Sequence, residues 1–219
     1  MAGLARFDVS GRLIGWLALV GALIALAYSS PRPEEDVLYL WDSFAGVLIA
    51  SAVMGLVLLW IVHRGPAAEL LALRQPHSWR AAFAWVGGIF VATFVLGALL
   101  EPLLHPGEEQ GIVPQEWDAD RAAPFAANAA ATAIVVPVVE ELVFRGAGYS
   151  LLERYGRLAA IAGTSILFGL AHGLVLALPV LVAFGLGLAW LRARTGSVFP
   201  GMVLHGVFNA IAVIVGVFV

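Results

Sequence analysis

Long apolar runs separated by short polar stretches make up nearly the whole of this chain. The runs cover residues 13–28, 44–62, 81–104, 124 to about 155, 157–172, 174–191 and 198 to the C-terminus. A membrane helix needs about 20 mostly apolar residues, and runs of this length with few charges fit that need. The pattern predicts an all-α, polytopic helical membrane bundle with about seven transmembrane helices, in one domain over residues 1–219. The first run is read as a retained signal anchor, with a cleavable signal peptide as the alternative. The connection 29–41 holds Pro31, Pro33, Glu34, Glu35 and Asp36, and 105–121 is acidic and punctuated by Pro106, Gly107 and Pro114. The connection 63–80 carries Arg64, Arg74 and Arg80, with a short interfacial helix expected at 67–73. A tight basic turn is expected at 192–196. The fourth run is expected to kink at Pro137, because proline removes a helix hydrogen bond and crowds the preceding turn.

Composition sharpens this picture. Of 219 residues, 61% are hydrophobic and 12% charged, against roughly a quarter charged in a soluble domain. The absence of cysteine excludes disulfide and thiolate chemistry. All twelve basic residues are arginine. With the N-terminus in the cytosol and the runs alternating, Arg6, Arg12, Arg64, Arg74, Arg80, Arg145, Arg154, Arg157, Arg192 and Arg194 fall at the cytosolic side. Only Arg32 and Arg121 fall outside, together with the acidic loops. Positive residues concentrate in the cytosol, so this orientation is the expected one. The arginine-only, alanine-rich composition points to a bacterial cytoplasmic membrane. The expected partners are the lipid bilayer and a membrane-associated peptide or protein, not nucleic acid; oligomeric state is not legible.

Trp16, Trp60 and Trp190 lie toward run ends and read as interface anchors. The spacings Gly11/Gly15 and Gly169/Gly173 permit close helix approach. His63, His77 and His105 lie in connections and are assigned no role.

The chemistry concentrates where polar residues interrupt apolar sequence. Glu140, Glu141 and Arg145 sit inside the fourth run. Charges at membrane depth persist where they pair or do chemistry. Glu141 and Arg145 are four apart, acid first, and can pair along one helix face. Glu140 is about 100° away from Glu141 and is left to face a cavity. Glu140 stands fifteen residues before Tyr155, at the turn with Gly156, and His172 sixteen after Gly156. Both therefore lie about 22–24 Å from that turn. His205 and Asn209 lie nine and thirteen residues past Gly196, or about 14–20 Å in. Four polar side chains are thus expected to meet at one depth. Taken singly, each histidine and Asn209 could equally be an interhelical hydrogen-bond partner, and Phe168 and Phe208 read as packing.

A carboxylate in an apolar cavity gains basicity and can take a proton from water. A neutral histidine can hold that water, and a second histidine with an asparagine can donate to a developing oxyanion. These are parts for hydrolysing a peptide carbonyl without a covalent intermediate. Zinc held by Glu140, His172 and His205 is the competing reading of the same residues. No H-E-x-x-H, G-x-S-x-G or P-loop string occurs. A non-catalytic membrane scaffold or chaperone, or a proton-coupled transporter, are the alternatives from other classes. The lack of a detectable inverted repeat counts against the transporter.

Three motifs fall in order on successive apolar runs: E-E-x-x-x-R (Glu140, Glu141, Arg145), F-x-x-x-H (Phe168, His172) and H-x-x-x-N (His205, Asn209). With "EELVFRG" and "ILFGLAHG" around the first two, the sequence resembles the CPBP family of intramembrane proteases, which includes the CAAX prenyl protease 2 enzymes. The likeness spans about residues 124–212, a catalytic core; the first three runs show none. It implies a membrane-embedded endopeptidase. Glu140 and His172 would activate water, His205 and Asn209 would form the oxyanion hole, and Glu141, Arg145 and Phe168 would support them. The family is often named as metalloproteases, although the prenyl-protease relatives are understood to need no metal. With two histidines available and Glu141 occupied by Arg145, metal-free catalysis is the expectation. Eukaryotic relatives cut after a prenylated cysteine; bacterial relatives are linked to bacteriocin processing or self-immunity. The resemblance does not supply the substrate.

Overall fold

A computed structural model describes the backbone at residues 2–31, 36–105, 109 and 116–218, with side chains from Ser10 to Val217. Arg32, Pro33, Glu34, Glu35, Pro106, Gly107, Pro114 and the side chain of Arg6, all invoked above, lie outside the described residues. The helices are α1 Ala2–Ser29, α2 Trp41–Val62, α3 Trp79–Leu104, α4 Ala119–Tyr155, α5 Arg157–Leu170, α6 Leu178–Thr195 and α7 Phe199–Phe218. No strand occurs among the described residues. The protein is an all-α, multi-pass membrane bundle in the expected order.

Helix ends follow local chemistry. Ser78 caps α3, its Oγ accepting from the Ala81 N–H at 3.3 Å. Gly156 takes φ +110 between α4 and α5, a conformation open to glycine and little else. The expected interfacial helix at 67–73 shrinks to one turn, Ala67–Leu70, and Ala72 has φ +51. α6 continues through Arg192 and Arg194 and stops only at Gly196, φ +70, whose N–H donates to the Arg192 carbonyl at 2.9 Å. The expected basic turn at 192–196 is therefore a helix end, where arginines complement the helix dipole.

The bounds of the expected fifth span, 157–172, are corrected to Arg157–Leu170. Among the described residues six helices are long and apolar enough to cross a membrane; α5 has only 14 residues. That is about 21 Å of helix against a hydrocarbon core of about 30 Å. Gly173, at φ +68, ends the run, and α6 begins only at Leu178, with Pro179 in its first turn. The expected start of the sixth span at 174 gives way to this turn. α5 thus delivers His172 inside the bundle rather than at its far surface.

Close packing places α5 and α6 backbone to backbone. A Cβ on Gly169 would lie 2.7 Å from Val182 Cγ2, and one on Gly185 3.1 Å from Ser165 Cα. A Cβ on Gly173 would meet the Ala27 carbonyl of α1 at 2.8 Å. The Gly169/Gly173 spacing is used for close approach as expected. Gly11 has nothing within 4 Å and Gly15 makes an ordinary contact with Ile61, so that pair is not. Trp60 is 69% exposed, as a lipid-side residue should be, and Trp190 meets Trp85 edge-on at 4.6 Å.

Trp16 corrects its reading as an interface anchor. It is fully buried, and its indole N–H donates to the Val143 carbonyl of α4 at 2.9 Å. α1 is thereby an integral wall of the bundle. Trp16→Phe keeps the packing and leaves a buried carbonyl without its donor, a cost of about 1–3 kcal/mol. The expected result is a lower melting temperature in detergent than wild type; an unchanged one would remove this bond from the account of how α1 is held.

α4 carries two widened π turns, Ala131–Val135 and Leu142–Gly148, which bracket the short α-helical stretch Val136–Glu141. Pro137, where a kink is expected, directly follows the first of these turns, in the first turn of the α-helical stretch. Val136 N–H donates to the Ala131 carbonyl, five residues back. Such turns free carbonyls and are frequent at functional sites. Here neighbouring helices reach three carbonyls of the two turns: Asn209 Nδ2 to Thr132 O at 3.0 Å, Trp16 to Val143 O, and Arg192 Nε to Arg145 O at 3.1 Å. At the opposite end of the bundle, Tyr39 Oη donates to Glu116 O at 3.1 Å and accepts from Asp118 N–H at 2.9 Å. Beside it, the Arg121 guanidinium holds the Asp118 carboxyl below the usual carboxylate range.

Candidate active site

Glu140 and Glu141 close the α-helical stretch between the two π turns and take different environments, as their helix phase requires. Glu141 is fully buried. Its Oε1 lies 3.1 Å from Nη1 of Arg145, which is also fully buried. Arg145 further donates from Nη2 to the Gly185 carbonyl of α6 at 3.1 Å, and its guanidinium lies 4.3 Å over the Phe168 ring. A buried ion pair persists only with good geometry and further hydrogen bonds, and α6 and Phe168 supply both. Gly201 makes room on the other side: a Cβ there would stand 2.6 Å from Glu141 Oε2.

Glu140 is the accessible carboxylate. Its side chain is 20% exposed. It lines a pocket of about 310 Å³ together with Leu23, Leu26 and Ala27 of α1, Met54 of α2, Phe144 of α4 and Ala171. The expectation that Glu141 pairs internally while Glu140 faces a cavity matches this geometry.

His205 reaches both carboxylates, which the phase argument did not foresee. Its Nε2 lies 3.7 Å from Glu140 Oε2 and its Nδ1 3.4 Å from Glu141 Oε1. Two side chains about 100° apart cannot point at one atom, but the two edges of one imidazole can meet one each. Glu140 Oε2, Glu141 Oε2 and His205 Nδ1 are buried without a hydrogen-bond partner within the chain. Buried polar atoms of this kind suit a water.

His172 presents one defined nitrogen. Its Nδ1 lies 2.7 Å from the Phe168 carbonyl, which can only accept, so Nδ1 carries the proton. In the neutral ring Nε2 is then an acceptor. Phe168, read as packing from the sequence, is fully buried and central. Its ring lies 4.6 Å from His172, 5.6 Å from His205 and 5.4 Å from Phe144. Phe184 lies 5.5 Å from His205 and stacks on Phe208 at 4.5 Å, so Phe208 also packs.

The structure therefore gathers Glu140, Glu141, Arg145 and His205 directly, and His172 through Phe168 and the neighbouring pocket residue Ala171. Asn209 is placed differently from the expectation of one shared depth. It binds the Thr132 carbonyl, eight residues before Glu140 on α4, or about 12 Å along that helix. Among the described residues no three His, Asp or Glu side chains are gathered so as to hold a metal ion, and Glu141 is committed to Arg145.

Four contributors escaped the sequence reading: Trp16, Arg192, Gly201 and Thr132. Arg192 was counted as a cytosolic charge, yet it is 6% exposed, bonds the Arg145 carbonyl and lies 4.9 Å over the Tyr149 ring. His77 was assigned nothing; its Nδ1 lies 3.0 Å from Thr195 O, near Arg74 Nε, which donates to Gly196 O at 2.6 Å. Only a freed backbone carbonyl explains most of these contacts, and the sequence signal for one is Pro137 alone.

Comparison with known proteins now bears on the same elements. Residues 122–211, from the start of α4 into α7, match the family described as type II CAAX prenyl endopeptidase Rce1-like. Over this segment the chain is similar to the Rce1-like family. It is also similar to the protein named "Putative membrane peptidase YdiL" of Bacillus subtilis (strain 168), 26% identical over 207 residues, 90% of this chain and 82% of that protein. No solved structure matches. The Rce1-like segment contains Glu140, His172, His205 and Asn209, and it supports a membrane protease at the level of the family. α1 and α2, which complete the Glu140 pocket through Leu23, Leu26, Ala27 and Met54, lie outside it.

Proposed function

We propose that this protein is an intramembrane endopeptidase that hydrolyses a peptide bond of a membrane-associated protein or peptide with water activated by Glu140 and His172. The observation that carries the reading is the partly exposed Glu140 carboxylate in a pocket that is apolar but for Glu140 and Ser30, with His205 Nε2 3.7 Å away. Glu140 takes a proton from water as the oxygen attacks the scissile carbonyl carbon. His172 Nε2 accepts a hydrogen bond from that water and orients it. His205 donates to the oxyanion as the carbonyl π bond opens. Collapse of the tetrahedral intermediate breaks the C–N bond, and the proton returns to the departing amine. General acid–base assistance of this kind contributes about 10²–10⁴-fold. The pocket wall of leucine, alanine and methionine suits an apolar substrate segment, lipidated or not. The arginine-rich end, with Arg64, Arg74, Arg80, Arg154 and Arg194, is assigned to the cytosol of a bacterial cell, the N-terminus with it.

The test is purified protein in lipid nanodiscs against a library of membrane-tethered peptides, with and without a lipid anchor, and Glu140→Ala as control. Equal cleavage by both proteins would overturn the assignment. A chelator addresses the metal question separately. The chain's own groups activate the water in this reading, so turnover should survive prolonged treatment with excess EDTA. Loss of turnover that zinc restores would show a metal-dependent reaction instead.

A further inference from the structure

We propose that Asn209 is a positioning residue that replaces the backbone hydrogen bond missing at Pro137, and so fixes α7, with His205, against the Glu140–Glu141 stretch. This differs from the role the resemblance implies, direct donation to the oxyanion. It rests on the proposed hydrolysis only for the task the site performs.

In the π turn Ala131–Val135, Val136 N–H donates to Ala131 O, five residues back. The next donor in that register is residue 137 and its acceptor is Thr132 O. Residue 137 is proline and has no N–H. A carbonyl in a membrane bundle has no bulk water to turn to, so another group must serve it. Asn209 Nδ2 does so, at 3.0 Å from Thr132 O. The adjacent carbonyl, Ala133 O, is the acceptor residue 137 would use in ordinary α register. It too faces α7, and a Cβ on Gly206 would stand 2.6 Å from it. Gly206 and Asn209 thus seat α7 on Thr132 O and Ala133 O, the acceptors that an N–H at position 137 would meet in the two registers. One turn back along α7, His205 lies 3.4 Å from Glu141 and 3.7 Å from Glu140. The seat and the site are four residues apart on one rigid helix. A change at the seat therefore moves the imidazole relative to both carboxylates.

The inference predicts a coupling that an oxyanion donor would not show. Pro137→Ala restores an N–H aimed at the same carbonyl, so the Asn209 amide becomes redundant. The experiment is a double-mutant cycle of Asn209→Ala, Pro137→Ala and the pair, in detergent. Its two readouts are the melting temperature and the rate at which Glu140 is labelled by N,N′-dicyclohexylcarbodiimide, with Glu140→Gln locating the adduct. Asn209→Ala alone should lower the melting temperature and raise the labelling rate about fivefold, the factor expected for losing one buried bond. In the Pro137→Ala background both effects should nearly vanish. Equal effects of Asn209→Ala in the two backgrounds, or labelling that it leaves unchanged, would overturn the clamp. Should Asn209→Ala fail to give folded protein, recovery of the double variant supports the clamp and failure of both overturns it. Neither readout requires turnover, so failure of the clamp and failure of the protease reading would be seen separately.

Discussion

Glu140→Gln is expected to abolish the proposed peptide hydrolysis, by about 10²–10⁴-fold or more, while the protein keeps its melting temperature. The substitution preserves shape and removes the basic oxygen pair. Because the side chain is 20% exposed and lines the pocket, the neutral amide can be accommodated by water and by His205. The activity loss and the retained stability must appear together. A variant that unfolds reports only damage, and one that still cleaves shows that another group activates the water. His172→Ala provides the internal comparison. Its Nε2 is proposed only to hold and orient the water, so its loss should leave more residual activity than that of Glu140.

Arg145→Met has the largest expected effect on stability. Arg145 and Glu141 are both fully buried, 3.1 Å apart. Removing the guanidinium leaves a carboxylate inside the bundle with no cation, and removes the donor to the Gly185 carbonyl. Breaking one partner of a buried pair costs about 3–5 kcal/mol, enough to consume much of a domain's net stability. The expected outcome is little or no monodisperse protein after solubilisation. Replacing both partners, Glu141→Leu with Arg145→Met, removes the orphaned charge and should recover folded protein in part. If the single variant were as stable as wild type, the pair would not be what tolerates Glu141 at this depth. The double variant should still be poorly active, because His205 would lose one of the two carboxylates that flank it.

Much of this site was legible along the chain. The E-E-x-x-x-R spacing puts an acid and a base one turn apart on a helix, and in apolar surroundings such a pair has nowhere to go but to each other. Helix phase then leaves Glu140 on another face, where the pocket lies. The turns were legible because glycine adopts the positive-φ backbone at Gly156 and Gly196 most readily. The length of α5 was not. Its sequence stays apolar past Leu170, and hydropathy carries no mark for the reversal that the backbone makes at Gly173. Trp16 misled for a related reason. An amphipathic ring near a run end suits a membrane interface, and only a partner 127 residues away along the chain makes it a core residue.

The chain's own order of apolar runs, glycines, prolines and spaced charges determined the all-α membrane architecture, the Glu141–Arg145 pair and the separate face taken by Glu140, because each follows from local geometry within one helix or turn. Which helix answers which freed carbonyl, that His205 stands between two carboxylates, and that Asn209 turns to Thr132 were decided in three dimensions. Those contacts join residues far apart in sequence, and their registry depends on how α1, α6 and α7 pack against the widened turns of α4.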